Sequence, residues 1–217
     1  VTGALNDEVL RNLFDRLTYL RNLEDRKNTC IASIEEQGKL TPELKKQIME
    51  ATTLVVVEDL YRPYKQKRRT RAMIAKEKGL EPLSDIILKQ EETTPIIEIA
   101  AQYINEEKEV DTAEAALNGA KDIIAEIISD EADYRIFIRD LTFNKGRIVS
   151  VAKDPEAKSV YEMYYDFDEP VNKLPGHRVL ALNRGEKEKI LTVKIEAPEE
   201  EIIDYLEKKV ITKDNPN

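Results

Sequence analysis

The chain has 217 residues, of which 41% are hydrophobic and 35% are charged, so it is long enough and apolar enough to bury a core. Its single cysteine excludes a disulfide framework within the chain and suits a reducing compartment. No apolar run approaches the roughly 20 residues that span a bilayer. Seven glycines and no tryptophan favour a helix-rich fold over a β-sandwich, which needs frequent tight turns.

The first stretch of the chain has the pattern of a helical hairpin. Residues 6–37 carry apolar side chains at helical spacing, and the stripe consists of Leu10, Leu13, Leu17, Leu20, Cys30, Ile31 and Ile34. Gly38 supplies a helix stop, and Thr41 with Pro42 supplies a cap and a first helical residue. The second helix is expected to continue through the valine run at residues 55–57.

A cluster of cations follows the hairpin. Residues 61–71 hold six Lys or Arg side chains and no acid, and residues 62–78 carry a net charge of +7. Because the whole chain carries −9, the remaining residues carry −16. We expect residues 62–69 to form an exposed loop, since Pro63 pushes Arg62 toward an extended conformation.

Further helices complete the first section of the chain. Thr70 is expected to cap a short helix that Gly79 ends, and Asp111 with Glu114 has the spacing of a capping box. Helical periodicity also predicts helices at residues 82–90, 95–104 and 111–143. The sequence therefore predicts a mainly α fold, with a multi-helix domain at residues 1–144.

The pattern changes after Gly146, which predicts a small α+β section at residues 145–217 with a short antiparallel sheet. The expected order is a strand at 147–151, a short helix at 156–165, turns at 166–175 and a last helix at 198–210. Residues 179–182 and 190–195 favour a β-hairpin, and a helix over residues 178–184 is the alternative.

The cationic cluster is the candidate site for nucleic-acid phosphates. Lys and Arg neutralise phosphates and release counterions without reading the base sequence, and tyrosines can stack on exposed bases. The candidate residues are Arg62, Lys65, Lys67, Arg68, Arg69, Arg71 and Tyr64, with Tyr61 beside them. The alternative is that Arg62 and Arg68 pair with acids on neighbouring helices while both tyrosines pack in the core.

The sequence shows no catalytic constellation. Asp166, Asp168 and Glu169 could hold a divalent metal, but the segment lacks the rest of a calcium-loop pattern and is typical of an Asp-rich turn. His177 is the only histidine, and no serine or cysteine stands in a nucleophile motif. We therefore expect no enzymatic activity, no bound metal and no cofactor.

Four stretches resemble the bacterial Tex family of transcription accessory proteins, which is related to a eukaryotic transcription elongation factor. They are residues 60–72 (LYRPYKQKRRTRA), 74–83 (IAKEKGLEPL), 33–41 (SIEEQGKLT) and 175–186 (PGHRVLALNRGE). The likeness runs from Val1 to about Ile195. Residues 1–5 resemble the tail of the family's opening helices, so we expect the chain to be a segment of a longer protein.

The resemblance implies a non-catalytic part of a cytoplasmic protein. In the family this region is mostly helical and includes a helix-turn-helix-like element. An RNase-H-like domain, a helix-hairpin-helix domain and an OB-fold RNA-binding domain follow it, and none of the three is expected in these residues. Catalysis and the main RNA contacts would belong to those domains.

Two functions are compatible with these observations. The first is sequence-independent, weak binding of RNA or DNA through the cationic cluster. The second is a protein-interaction scaffold, in which acidic helices contact a basic protein of the transcription machinery. A hydrolase built on the three carboxylates at residues 166–169 is the third and least supported possibility.

Overall fold

A computed structural model describes residues 6–215 of the chain. Most of these residues are helical, and three short strands form one sheet. The helices are α1 (Asp7–Glu36), α2 (Pro42–Glu50), α3 (Leu54–Tyr61), α4 (Arg71–Glu77), α5 (Glu81–Lys89), α6 (Ile96–Ala101), α7 (Ala113–Asp130), α8 (Ala132–Lys145), α9 (Gly176–Lys187) and α10 (Glu199–Val210). The strands are β1 (Arg147–Ala152), β2 (Asp166–Pro170) and β3 (Leu191–Glu196).

The described residues divide into two compact units, at residues 6–135 and 136–215. Contacts within the folded chain define these units. They do not show whether either unit could fold alone, which is what defines a domain. The predicted division into residues 1–144 and 145–217 therefore stays a prediction. The predicted fold class, mainly α with a small α+β section and a short antiparallel sheet, is confirmed.

One apolar cluster of the first unit joins α1, α2 and α3. Its buried residues are Leu23, Cys30, Ile31, Ile34, Ile48, Ala51 and Val57. Gly38 ends the turn after α1 with a φ of +67°, a conformation that glycine adopts at little cost. The hydroxyl of Thr41 then accepts a hydrogen bond from the backbone N–H of Leu44 and caps α2. The predicted helical hairpin and its turn are thus confirmed.

A second apolar cluster of the first unit joins α4, α5, α6 and α7. It buries Ala72, Ala75, Leu80, Leu83, Ile99, Ala100, Val110, Ala116, Ala120 and Ile123. Thr70 caps α4 by accepting a hydrogen bond from the N–H of Met73, and Gly79 follows this helix with a φ of +81°. Small residues on α4 and α7 let these two helices approach closely.

The second unit is built around the sheet, whose strand order is β2-β1-β3 with antiparallel pairing throughout. Its buried cluster consists of Tyr161, Tyr164, Leu182 and Leu191, contributed by a 3-10 turn, α9 and β3. The rings of Phe137 and Tyr205 stack with their centroids 3.7 Å apart, which joins α8 to α10.

Several predicted elements of the second unit are wrong. Residues 176–187 form α9 rather than the first half of a β-hairpin, so the alternative helix is the correct one. Residues 166–170, predicted as turns, form β2 because they pair with β1 in register, with Phe167 opposite Ser150. The helix predicted at 156–165 is reduced to the 3-10 turn Glu162–Tyr164.

Three details of the first unit also differ from the sequence prediction. The second helix does not continue into the valine run, because residues 51–53 break it and Thr53 caps α3 anew. Thr112, rather than Asp111, caps α7. The helix predicted at 111–143 is interrupted at Glu131, which has an extended ψ of 119° and separates α7 from α8.

Candidate nucleic-acid interface

The cationic segment, residues 62–71, connects the two apolar clusters of the first unit. α3 ends at Tyr61, and the 3-10 turn Arg62–Tyr64 follows directly. Arg62 has helical backbone angles (φ −53°, ψ −42°), so the extended conformation predicted from Pro63 is wrong at this position. From Lys65 the chain leaves the helical conformation until α4 begins.

A row of carboxylates on α7 binds one side of the cationic segment. Asp130 accepts a hydrogen bond at 3.0 Å from Nε of Arg62 and also pairs with Nζ of Lys67. Glu126, one turn earlier on α7, lies 3.4 Å from the same Lys67 amine. Both acids and Lys67 are largely buried, so these pairs are screened less than pairs on an open surface.

Arg69 and Arg71 have partners that are at least partly exposed to solvent. The guanidinium of Arg69 donates to Glu77 at 2.8 Å, and both side chains are more than half exposed. The guanidinium of Arg71 lies 3.6 Å from Asp122 and remains 87% exposed. Ion pairs of this kind contribute little and exchange readily with solvent, so both guanidinium groups remain accessible to an anion.

Lys65 and Arg68 differ from the other cations of the segment. Both are exposed, and neither has a carboxylate partner within residues 6–215. The structure therefore sorts the six predicted cations into two groups. Arg62 and Lys67 hold the fold, whereas the other four form an exposed cationic ridge of Lys65, Arg68, Arg69 and Arg71.

The two tyrosines at the head of the segment pack against the first apolar cluster. The hydroxyl of Tyr61 lies 3.0 Å from the hydroxyl of Ser33, and the guanidinium of Arg26 lies 5.3 Å from the centre of its ring. Tyr64 is half-buried, and its carbonyl accepts a hydrogen bond from Gln37. Core packing of both tyrosines was one of the sequence alternatives, and base stacking by Tyr64 stays a prediction.

An open polar groove of about 620 Å³ lies beside Lys65. It is lined by Arg26, Ser33, Glu36, Gln37, Tyr61, Lys65 and Gln66. Nε of Arg26 donates to Glu58 at 2.5 Å, and this hydrogen bond raises the pKa of the guanidinium. In the first apolar cluster, burial raises the pKa of the Cys30 thiol.

The three carboxylates of β2 do not converge on a common point. Nε of Arg147 donates to Asp168 at 2.6 Å, while Glu169 pairs with Arg178 on α9. Across residues 6–215 there is no group of three His, Cys, Asp or Glu side chains that could hold a metal ion. His177 lies exposed in the first turn of α9.

The sequence alternative had Arg62 and Arg68 pair with acids on neighbouring helices. Arg62 does so with Asp130, and Arg68 has no such partner within residues 6–215. The particular acids on α7 were not identified from the sequence. Asp122, Glu126 and Asp130 follow one another at intervals of four residues and therefore line one face of the helix. The cations meet this row in reverse order, Arg71 at its start and Arg62 at its end. The four-residue spacing shows that these acids share one helix face, but it does not show which cations they contact.

Comparison with known proteins identifies the family. A family model described as Tex central region-like matches residues 91–214, which is more than half of the chain. The chain belongs to the Tex family. The expected resemblance is thereby confirmed, and the matched residues include α7, which carries the acidic row, and the small sheet.

Curated relatives agree with this assignment. The Bacillus subtilis protein YdcI is 52% identical over 97% of the chain, and the Transcriptional accessory protein Tex of Neisseria gonorrhoeae is 44% identical over 88%. The human S1 RNA-binding domain-containing protein 1 is 28% identical over 88%. The chain spans 30%, 25% and 20% of the lengths of these three proteins, respectively.

No helix within residues 6–215 is both long enough and apolar enough to cross a membrane. The helix-turn-helix-like element that the resemblance implies stays a prediction.

Proposed function

We propose that this chain is a non-catalytic module of a transcription accessory protein that binds the phosphates of RNA or DNA through the cationic ridge. The observation that carries the proposal is the exposure of Lys65 and Arg68 without a carboxylate partner in the described part of the chain. Arg69 and Arg71 extend the same segment, and their partners Glu77 and Asp122 are 59% and 33% exposed at the side chain. Phosphate contacts of this kind position a nucleic acid without reading its bases.

The ridge predicts weak binding. Arg62 and Lys67 are bound to α7, so at most four of the six candidate cations are available for phosphates. The rest of the chain is acidic and repels a polyanion. The names of the relatives support a role with nucleic acid in transcription, since one is a transcriptional accessory protein and another carries an S1 RNA-binding domain. We also propose a cytoplasmic location, as expected for such a module.

The proposal is tested by reversing two charges. We expect the double variant Lys65→Glu/Arg68→Glu to weaken binding of a fluorescent single-stranded RNA at least tenfold at low salt, measured by fluorescence anisotropy. Both side chains are exposed and unpaired, so the fold should not change.

The matched control reverses two cations outside the ridge. Lys45→Glu/Lys158→Glu changes the net charge equally, and both lysines are exposed. This control should bind RNA within about threefold of the unmodified chain, because only long-range repulsion changes. Equal losses in the two double variants would show that net charge, rather than the ridge, governs binding. Absence of binding by the unmodified chain at low salt would refute the proposal.

A further inference from the structure

The N-terminal half of α1 exposes a continuous apolar stripe. Its residues are Val9, Leu10, Leu13, Phe14, Leu17 and Leu20, and each is between 40% and 66% exposed. The buried face of the same helix begins at Leu23 and belongs to the first apolar cluster. The sequence placed these leucines on one stripe with Cys30, Ile31 and Ile34, and in the structure only the second part of that stripe is buried.

The four leucines of the stripe are spaced by three, four and three residues. This is the a/d spacing of a heptad repeat, in which each apolar side chain inserts between residues of a facing helix. Large contiguous apolar patches are uncommon on the surface of a monomer and mark interaction sites. An amphipathic helix of this length also gains most of its stability by packing its apolar face.

The residues that flank the stripe restrict its partner. With Leu10 and Leu17 at a, the first g and e positions of the stripe are the apolar Val9 and Phe14. The next g and e positions are Arg16 and Arg21, and both are exposed. In a parallel pair of helices the g residue of one chain faces the next e residue of the other. In a parallel pair of α1 helices from two copies, Arg16 of each copy would therefore lie beside Arg21 of the other. In an antiparallel pair, the two Arg16 side chains would lie beside each other.

We propose that the stripe is the docking site for an amphipathic helix with leucine-type residues at a and d and acidic residues at e and g. Glu or Asp at those positions would pair with Arg16 and Arg21, whereas basic residues would be repelled. The source of this helix is the remainder of the polypeptide in full-length family proteins, because this chain spans only 30% and 25% of its bacterial relatives.

Two designed peptides test the chemistry of the site. Each has three heptads with leucine at a and d; one carries Glu at e and g, and the other Lys. The 217-residue chain should bind the Glu peptide at least tenfold tighter than the Lys peptide. Arg16→Glu/Arg21→Glu should reverse this preference, and Leu13→Asp/Leu17→Asp should abolish binding of both. Equal affinity for both peptides, or a preference that survives the arginine changes, would overturn the proposal.

Two further measurements test the source of the partner. In a full-length family protein that carries this chain, the Glu peptide should bind at least tenfold more weakly than to the 217-residue chain, because the site is already filled. Equal affinity would overturn the assignment of the helix to the same polypeptide. Light scattering should show a monomeric 217-residue chain; a dimer that Leu17→Asp dissociates would instead assign the stripe to a second copy.

Discussion

At the scale of single residues, the structure separates cations that hold the fold from cations that are available to a ligand. Asp130 is the residue that makes this separation, because it is buried and binds both Arg62 and Lys67. Without the charge of Asp130, Arg62 would lose its carboxylate partner and Lys67 would keep only Glu126. The six Lys and Arg side chains look equivalent in the sequence and are not equivalent in the fold.

The change Asp130→Asn tests this role. It keeps the shape of the side chain and removes its charge, so we expect the free energy of unfolding to fall by about 1–2 kcal/mol. This loss is smaller than is usual for a buried ion pair because the Arg62 side chain is 43% exposed. The measurement is urea denaturation followed by circular dichroism.

The control for this change is Glu50→Gln on α2. Glu50 lies 3.9 Å from Lys46, and both side chains are well exposed. Its loss should therefore change the free energy of unfolding by less than about 0.5 kcal/mol. If Asp130→Asn were as neutral as Glu50→Gln, Asp130 would not hold the cationic segment in place.

At the scale of helices and strands, α4 and α7 show how closely the elements of the second apolar cluster pack. Gly119 lies on α7, where an added Cβ would stand 2.3 Å from Cδ1 of Leu80. The Leu80 side chain is buried in the second apolar cluster. Gly119 is thus required by the close approach of its neighbours rather than by its own backbone conformation.

We expect Gly119→Ala to destabilise the protein by about 1–3 kcal/mol, because overpacking of a buried contact outweighs the better helix propensity of alanine. Gly176→Ala is the matched control, since Gly176 begins α9 and has no atom within 4 Å of an added Cβ. That control should be neutral or slightly stabilising. Thermal denaturation of the two variants measures the difference, and a stabilising Gly119→Ala would contradict the packing described here.

The same scale shows what could be predicted from the sequence. Turns and caps with their own chemistry were predictable, as at Gly38, Thr41 and Thr70, because one residue determines the local backbone. β2 was not predictable from its sequence DFDEP, since four of its five residues have low strand propensity and the segment pairs with β1 only in the folded chain. Long-range pairing of this kind leaves no local signal.

α9 illustrates a second limit. Its run of Val179 to Leu182 is compatible with a strand and with a helix, and the outcome depends on which side chains meet the sheet. In the structure Leu182 and Gly185, three residues apart, face the buried cluster, and Cδ1 of Leu191 lies within 2.6 Å of an added Cβ at Gly185. The run is therefore helical because Leu182 and Gly185, which are one helical turn apart, pack against the buried cluster beside the sheet.

For the candidate site, the sequence located the cationic segment but not the division of its charges. The row of acids on α7 lies more than 50 residues further along the chain, and its contact with Arg71, Lys67 and Arg62 arises only in the folded unit. Exposure of Lys65 and Arg68 likewise depends on which side of the segment faces α7. Both features are tertiary and could not be assigned from periodicity.

At the scale of the whole molecule, the chain combines a net charge of −9 with one exposed cationic ridge. Under the proposed function, a polyanion is repelled by the acidic surface and attracted at the ridge, over distances of about one Debye length. Binding should therefore be local, weak and strongly dependent on salt. Removing cations of the ridge removes phosphate contacts, so it should change the salt dependence of binding. A change in the general repulsion removes no phosphate contact.

The most direct test is the slope of log K against log salt concentration for single-stranded RNA. Each phosphate contact contributes about −0.7 to this slope, so Lys65→Ala/Arg68→Ala should reduce its magnitude by about 1.4. Fluorescence anisotropy titrations of both proteins between low and moderate salt give the two slopes. We expect the difference of about 1.4, while identical slopes would contradict binding of nucleic-acid phosphates by Lys65 and Arg68.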